Sequence, residues 1–414
     1  MPRVAVIGSG LAGLAAACAL KARHEVTLFE RHDRLGMDAL SLDLGPQRLD
    51  VPMRVVYEGY YPTLARLYRE AGVVLEPVEY SGTFTRGDRT YLSYRNLRIG
   101  GRALPWLRGW RALRRETLPL VRDALRFFGT AAAQRQRSAG SGRTLDEHLR
   151  AQRYSPAFAD GFLLPLVAGI GTCTLEAAQR YPAEVVLGYF AAGLFSAPVQ
   201  RARGGVADVV ARLSAGVQHL RLSASVEAVR DAPHGVEVHA DGQAQRFDHV
   251  VLATQADHAL RLLPAGDGDR EALACFRYQS STVVMHRDPG LAPPDRRLWG
   301  PVNFILSPDQ AAPMATIWMN PLHPGLAGDV FQTWNPHREP QPGQLLHRVA
   351  VQRPVVDEES QRGLARLQAL HRQAGRRRWY CGAYAAPGIP LLESAAASGL
   401  AAAACIDAAS GVPA

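Results

Sequence analysis

Apolar and polar positions along the chain switch between two periods, and the switches outline its elements. Val4 to Ile7 form a short unbroken apolar run closed by glycine, and an Ala/Leu-rich stretch follows to about Ala22. The first reads as a strand buried on both faces. The second, after a tight turn, reads as a helix. EVTLFE (25–30) is expected to be a second strand, and LSLDL (40–44) and RLDV (48–51), separated by Gly45-Pro46, a hairpin. YPTLARLYREAGV (61–73) predicts a helix ending near Gly72, a suitable C-cap.

Between Arg98 and Arg137 the apolar positions Leu104, Leu107, Trp110, Leu113, Leu118, Val121, Leu125 and Phe128 follow helical spacing, so helix is expected there. SAGSG (138–142) has loop composition, and Thr144 with Glu147 forms a capping-box pattern that opens more helix, to about 195. The glycine pair Gly204-Gly205 opens another helix, and three β-rich runs follow it: LRLSASVEAVR, GVEVHADG and FDHVVLAT. Segments around 280–286, 302–307, 314–319 and 330–334 are expected to form a second sheet. RRRWYCGAY (376–384) is a late strand, and LLESAAASGLAAAACI (391–406) a final helix.

At 414 residues the chain exceeds what one small core serves, so two domains are expected. The hydrophobic share of 47% and charged share of 21% suit a globular protein. The net charge of +9 invites a nucleic-acid reading. However, Lys21 is the single lysine, the arginines are scattered and no nucleic-acid motif appears, so no such partner is expected. Cys18, Cys173, Cys275, Cys381 and Cys405 are far apart and form no CxxC pair, which disfavours disulfides and zinc and suits a reducing, cytoplasmic setting. No signal-peptide pattern is read at the start, and FLLPLVAGIG (162–171) is too short to span a bilayer. The thirteen histidines show no metal spacing such as HExxH, so no metal is expected, and no GxSxG elbow points to a hydrolase.

Candidate chemistry begins at Gly8-Ser9-Gly10-Leu11-Ala12-Gly13, a GxGxxG between strand and helix. The first glycine makes the turn, the second lets backbone approach a diphosphate, and the third lets helix and strand pack closely. The helix N-terminus adds free N–H groups and a positive dipole. Glu30 ends the second strand seventeen residues beyond Gly13, where ribose hydroxyls belong. An acid there disfavours NADP and leaves FAD and NAD open.

Four stretches then resemble the flavin-containing amine oxidase superfamily, which includes monoamine oxidases, phytoene desaturases and protoporphyrinogen oxidases. They are VAVIGSGLAGLAAACAL with FERHDRLG; YPTLARLYREAGV; RARGGVADVVARL with FDHVVLAT; and WYCGAY with LLESAAASGLAAA. FLLPLVAGIGTCTLEAAQRYPAEVV and MNPLHPGLAGDVFQTWNP are similar to bacterial FAD/NAD-binding proteins associated with fatty-acid cyclopropanation. The resemblance implies an α/β fold. A discontinuous Rossmann-type FAD domain (1–75, 200–265 and 370–414) would join an α+β substrate domain (76–199 and 266–369). It further implies FAD held by Gly8, Gly10, Leu11, Ala12, Gly13, Glu30, Arg31, Arg34 and Gly36, with Val226 by the adenine and Gly382, Ala383, Leu391 and Leu392 at the flavin. A helix starting near Leu391 would aim its N-terminus at the flavin edge where negative charge builds on reduction.

The sequence also departs from the family. Gly36-Met37-Asp38 stands where a glycine pair and a basic residue are usual, so Asp38 is expected to turn away from the diphosphate or to displace its loop. Asp50-Val51-Pro52 replaces an Asp-x-Gly, Ala383 replaces an acidic ribityl-binding residue, and Lys21 lies in the first helix, leaving none for flavin N5. The expected function is transfer of a hydride from a hydrophobic or amine-bearing small molecule to flavin N5, as an oxidase, desaturase or isomerase. Tyr384, Trp334, Tyr57 and Tyr181 are candidate substrate-side aromatics; no catalytic base is assigned. Cys381 reads as a small buried residue, not a site of covalent flavin attachment. No second GxGxxG offers a separate nicotinamide domain. Two alternatives stay open: a non-catalytic flavin-fold accessory protein, and peripheral membrane contact through Trp106-Leu107-Arg108-Gly109-Trp110-Arg111.

Overall fold

The computed structural model describes residues 1–99, 102–108, 117–193 and 198–411. A parallel five-stranded sheet runs in the order His219–Arg221, Glu25–Phe29, Arg3–Ile7, His249–Leu252, Arg378–Tyr380. Successive side chains of a strand point to opposite faces, and here both faces are covered. Val4 and Val6 pack with Leu14 and Leu20 of the first helix (Leu11–Leu20). Ala5 and Ile7 pack instead with Val236, Val238 and Phe247, from an antiparallel meander of Val226–Ala232, Gly235–Ala240 and Gln243–Phe247.

The last helix, Leu392–Ala409, is the described helix long and apolar enough to cross a membrane, and half of it is buried within the fold. Its sequence explains why it packs inside. A Cβ at Gly399 would stand 2.2 Å from the Ala12 carbonyl oxygen, so the missing side chain lets it lie directly against the first helix.

A second sheet of eight strands runs Leu345–Pro354, Tyr278–His286, Phe331–Trp334, Met314–Trp318, Val302–Leu306, Gly82–Arg86, Arg89–Ile99, Arg102–Leu107. Val302–Leu306 and Gly82–Arg86 are parallel neighbours, and the other pairs are antiparallel. Helices between Leu118 and Ala191 cover it, joined by an aromatic seam in which Phe84 stacks on Phe304 at 4.7 Å and meets Phe162 at 5.0 Å. At Gly169 a Cβ would fall 2.4 Å from the Phe304 ring, so this glycine too permits a close approach.

The expected elements at 25–30, 40–51, 61–73 and 280–334 and in the final helix are present. So is the capping box: Thr144 Oγ1 accepts from Glu147 N, and the Glu147 carboxylate accepts from Thr144 N. The helix expected from Arg98 is corrected. Among the described residues helix begins at Leu118, and Arg89–Ile99 and Arg102–Leu107 form a hairpin with Leu97 opposite Leu104 and Tyr94 opposite Leu107. Strand pairing overrides the helical spacing, and Pro105 is admissible because its strand is the sheet edge, where a missing N–H breaks no ladder. Trp106 at the end of that strand is exposed, and Gly109-Trp110-Arg111 lie outside the described residues. The strand Leu345–Pro354 and the helix Glu358–His371 have no counterpart among the expected elements.

Candidate functional site

Both sheets contribute to the wall of one cavity of about 1040 Å³. That lies at the upper end of the roughly 300–1,000 Å³ usual for small-molecule sites. One end is the glycine turn after the first strand. The other is aromatic.

The three glycines of the turn do different work. A Cβ on Gly13 would lie 1.9 Å from the Gly8 carbonyl oxygen, and one on Gly8 3.0 Å from the Ala253 carbonyl oxygen. The fold itself requires their bareness. A Cβ on Gly10 would meet nothing within 4 Å; it would project into open space at the cavity wall. Gly10 is also the N-cap of the first helix and no side chain caps that helix. The turn therefore presents bare backbone at a helix N-terminus to the cavity, an arrangement suited to a phosphate.

Glu30 closes this end, only 6% exposed. Its carboxylate accepts from Ser9 N at 3.1 Å, Ser9 Oγ at 2.5 Å and His32 N at 3.0 Å. Gly36 N donates to Ser9 Oγ at 2.7 Å. With φ at +45° and a virtual Cβ 1.8 Å from the Ser9 carbonyl oxygen, position 36 needs glycine. Among the other cradle residues, Leu11, Arg31 and Val226 line the cavity, Ala12 lines only an adjoining pocket of about 180 Å³, Gly13 is packed away from it, and Arg34 is exposed and outside it. The loop carries Arg34 into solvent.

Asp38 does turn away. Its neighbours Met37 and Ala39 line the cavity, but its carboxylate takes Arg48 Nε at 2.8 Å and Nη2 at 3.0 Å. Asp50 is likewise engaged, accepting Val206 N at 2.9 Å at the start of the helix Gly205–Ser214. Burial pushes its carboxyl above the ordinary range, although the Val206 N–H and the charges of Arg54 and Arg201 oppose this.

Ala383, Leu391 and Leu392 line the main cavity, and Gly382 lies on the adjoining pocket. Leu391 is the N-cap of the last helix, with no side-chain cap. Glu393 in that first turn accepts the N–H groups of Thr63 and Leu64, each at 3.0 Å, which fixes the helix start against Pro62–Glu70.

At the aromatic end Tyr57 and Trp334 line the cavity with Tyr61, Tyr80, Tyr94 and Tyr189. Tyr57 meets Tyr61 and Tyr189 edge-on, at 5.5 and 5.9 Å. Burial raises the phenols above their usual range, Tyr80 to about 12, so they act as neutral groups. Two expected aromatics are elsewhere. Tyr384 turns to the adjoining pocket, packed 4.8 Å from Phe276 with its hydroxyl buried and unpartnered. Tyr181 is buried outside the cavity, where its backbone joins the helix Leu145–Ala151 by accepting Leu145 N at 2.7 Å. Core packing claims both. Cys381 is fully buried, and burial raises its thiol far above the ordinary range. Lys21 is far from chemistry, donating to the Ala215 carbonyl at 2.7 Å.

Ser9, Tyr61, Tyr189, Arg54 and Arg353 line the cavity and were not singled out from the sequence. Ser9 alone carried a signal, standing inside the glycine motif. Among the described residues no cluster of His, Cys, Asp and Glu could hold a metal ion.

A family profile of NAD(P)-binding Rossmann-like domains matches residues 6–71. No curated protein sequence matches the chain. Solved structures match nearly all of it: a CLA-producing fatty acid isomerase from P. acnes is 16% identical, with 97% of each chain covered and a TM-score of 0.66. Putrescine oxidase is 16% identical over 98% of this chain and 99% of its own, with a TM-score of 0.68. Cyclohexylamine oxidase from Brevibacterium oxydans IH-35A is 16% identical over 98% of both chains, with a TM-score of 0.67. Likeness at that identity speaks for architecture: this chain shares the fold of these structures, with a Rossmann-like nucleotide-binding segment at residues 6–71.

Proposed function

We propose that the protein is an FAD-dependent oxidoreductase that oxidises, desaturates or isomerises a hydrophobic or amine-bearing small molecule. The observation that carries this reading is Gly10, a bare position that the protein's own packing does not require and that opens on a cavity large enough for a dinucleotide and a substrate. Gly8, Gly10 and Leu11 would hold the diphosphate, Glu30 a ribose, and Val226 the adenine end. Ala383, Leu391 and Leu392 would face the flavin. FAD would supply the hydride acceptor, with oxygen or another acceptor reoxidising it. The segments 1–75, 200–265 and 370–414 would form the FAD domain, and the remainder the substrate domain.

The chain's own contribution is positioning and exclusion of water. The tyrosines and Trp334 make a largely uncharged stretch of wall that Arg54 and Arg353 adjoin, and the uncapped start of the last helix offers N–H groups to charge that develops beside it. The departure at Asp38 does not oppose the reading, because Arg48 neutralises that carboxylate. Five free cysteines accord with a reducing, cytoplasmic location.

The visible spectrum of the purified protein, with chromatography of any released cofactor, tests the proposal. One FAD per chain in the natural protein, and none in Gly10→Glu, is the expected result. A colourless protein that takes up no added FAD would overturn it and leave the accessory-protein reading.

A further inference from the structure

The aromatic end of the cavity holds an arginine, Arg353, that no carboxylate offsets. Arg353, near the end of the strand Leu345–Pro354, lines the cavity with its guanidinium carbon 5.5 Å from the centre of the Trp334 ring. Among the described residues it makes no ion pair and its Nε is buried without a partner. Burial, and then the nearby charge of Arg54, lower its pKa to about 10, so it remains protonated at neutral pH. Arg54 lines the same cavity; its Nη1 donates to the Pro52 carbonyl at 2.8 Å, and its counter-charge is Asp50, which among the described residues is not within ion-pair distance.

A desolvated cation without a counter-charge is costly, so Arg353, which no carboxylate offsets, marks a place for an anion, with the charge of Arg54 beside it. The walls say which kind. Among the described residues that line the cavity, Glu30 is the sole acid; it stands at the opposite end and is already bonded to Ser9 and His32. An ammonium group would meet two arginines and no carboxylate. The surfaces between are apolar, among them Leu166, Phe304, Ile317 and Trp334.

We infer that the substrate is a hydrophobic carboxylate whose carboxyl group is held by Arg353 with Arg54 behind it, and whose apolar body lies along the Phe304–Trp334 wall. This rests on the flavoenzyme reading and narrows it, setting aside the amine-bearing substrate. A guanidinium suits the role because its planar fork matches a carboxylate with two parallel N–H groups. The charge of Arg353 is felt by Tyr61 and Tyr181, neither of which belongs to the glycine cradle. Arg353 also edges the adjoining pocket beside Gly10 and Leu11, so the dinucleotide is its competing occupant.

Binding of decanoate, decan-1-ol and decylamine to the FAD-loaded protein tests the inference, by titration calorimetry with the flavin content of each sample measured from its absorbance. Decanoate is expected to bind at least about tenfold more tightly than either analogue. Arg353→Met should abolish that preference at unchanged flavin content, and Arg353→Lys should keep part of it. Equal affinity for the three ligands overturns the inference, and that comparison needs no variant to fold. A preference for decanoate that survives Arg353→Met also overturns it. Loss of flavin from Arg353→Met with decanoate affinity kept would assign the arginine to the dinucleotide. A natural protein that never takes up FAD would sink the proposed function instead, while the ligand comparison could still be read on that protein.

Discussion

Ser9 gives Glu30 two hydrogen bonds, one from its backbone at 3.1 Å and one from its hydroxyl at 2.5 Å, while the same hydroxyl accepts the Gly36 N–H at 2.7 Å. One side chain thus links the cradle turn, the ribose-side acid and the loop that closes over them. Ser9→Ala removes a donor to a buried carboxylate and the acceptor for Gly36 together. The expected loss is about 1–3 kcal/mol of stability, with FAD affinity lowered by roughly tenfold. Thermal unfolding and FAD titration check this; an unchanged melting temperature with unchanged affinity would refute the linkage.

Gly10 and Gly13 separate ligand from fold. A methyl at Gly13 must overlap the Gly8 carbonyl, so Gly13→Ala should cost at least about 1–3 kcal/mol through forced backbone shift, and lower flavin content only as a consequence. Gly10→Ser places a good N-capping residue where nothing crowds it. Its apo form should melt within about 2 °C of the natural protein, a small stability change for a chain of this length, yet hold far less FAD. If Gly10→Ser destabilised the apo protein as much as Gly13→Ala, the distinction would fail.

The pairing of Asp38 with Arg48 predicts an electrostatic effect. Arg48 Nη1 also reaches Asp43 at 2.5 Å, so one guanidinium serves two carboxylates beside the cavity wall. Arg48→Met would free both charges next to a bound diphosphate. FAD affinity should drop severalfold, by more at low salt than at high salt, because charges that reach solvent are screened. The same affinity at 20 mM and 500 mM salt would count against this account.

The parts of the chain that could be read in advance are those whose sequence answers to backbone geometry. The strand and glycine turn from Val4 to Gly13, the hairpin at 42–49 and the meander from Val226 are of this kind, because glycine, period-2 alternation and turn residues act locally. The region from Arg98 misled because helical spacing and strand alternation coexist there, and pairing with a preceding strand settles the outcome non-locally. The site divides in the same way. Gly10 and Glu30 follow from the motif, but Tyr384 and Trp334 are both aromatics in late strands or their ends, and only the packing of Phe276 against Tyr384 shows which faces inward. Arg353 was hidden for another reason. A lone arginine in an arginine-rich sequence has no distinguishing neighbour; its missing partner becomes visible only in three dimensions.

Acid should destabilise the protein through buried imidazoles. His286 is fully buried; Asp288 N donates to its Nδ1 at 3.1 Å, which leaves Nε2–H to donate to Thr333 Oγ1 at 2.7 Å. His371 Nε2 accepts Tyr380 N at 3.0 Å, and His249 Nδ1 accepts Trp379 Nε1 at 3.4 Å. Each of these rings is neutral, and burial pushes each down to about 4. Below the ordinary histidine value near 6.5 the unfolded chain therefore binds more protons than the folded one, so stability falls as pH drops from 6.5 toward 4. Each such histidine contributes roughly 1 kcal/mol of loss per pH unit within that window. Ordinary carboxylates titrate below about pH 5, so above it the histidines dominate, opposed by buried carboxyls such as Asp50 that the fold pushes up. Urea unfolding between pH 5 and 7 should show the decline, with a shallower slope in His286→Gln, whose amide can accept from Asp288 N and donate to Thr333 without a titrating proton. A flat profile over that interval, or a slope unchanged by the substitution, would mean that these rings are not held neutral by the fold.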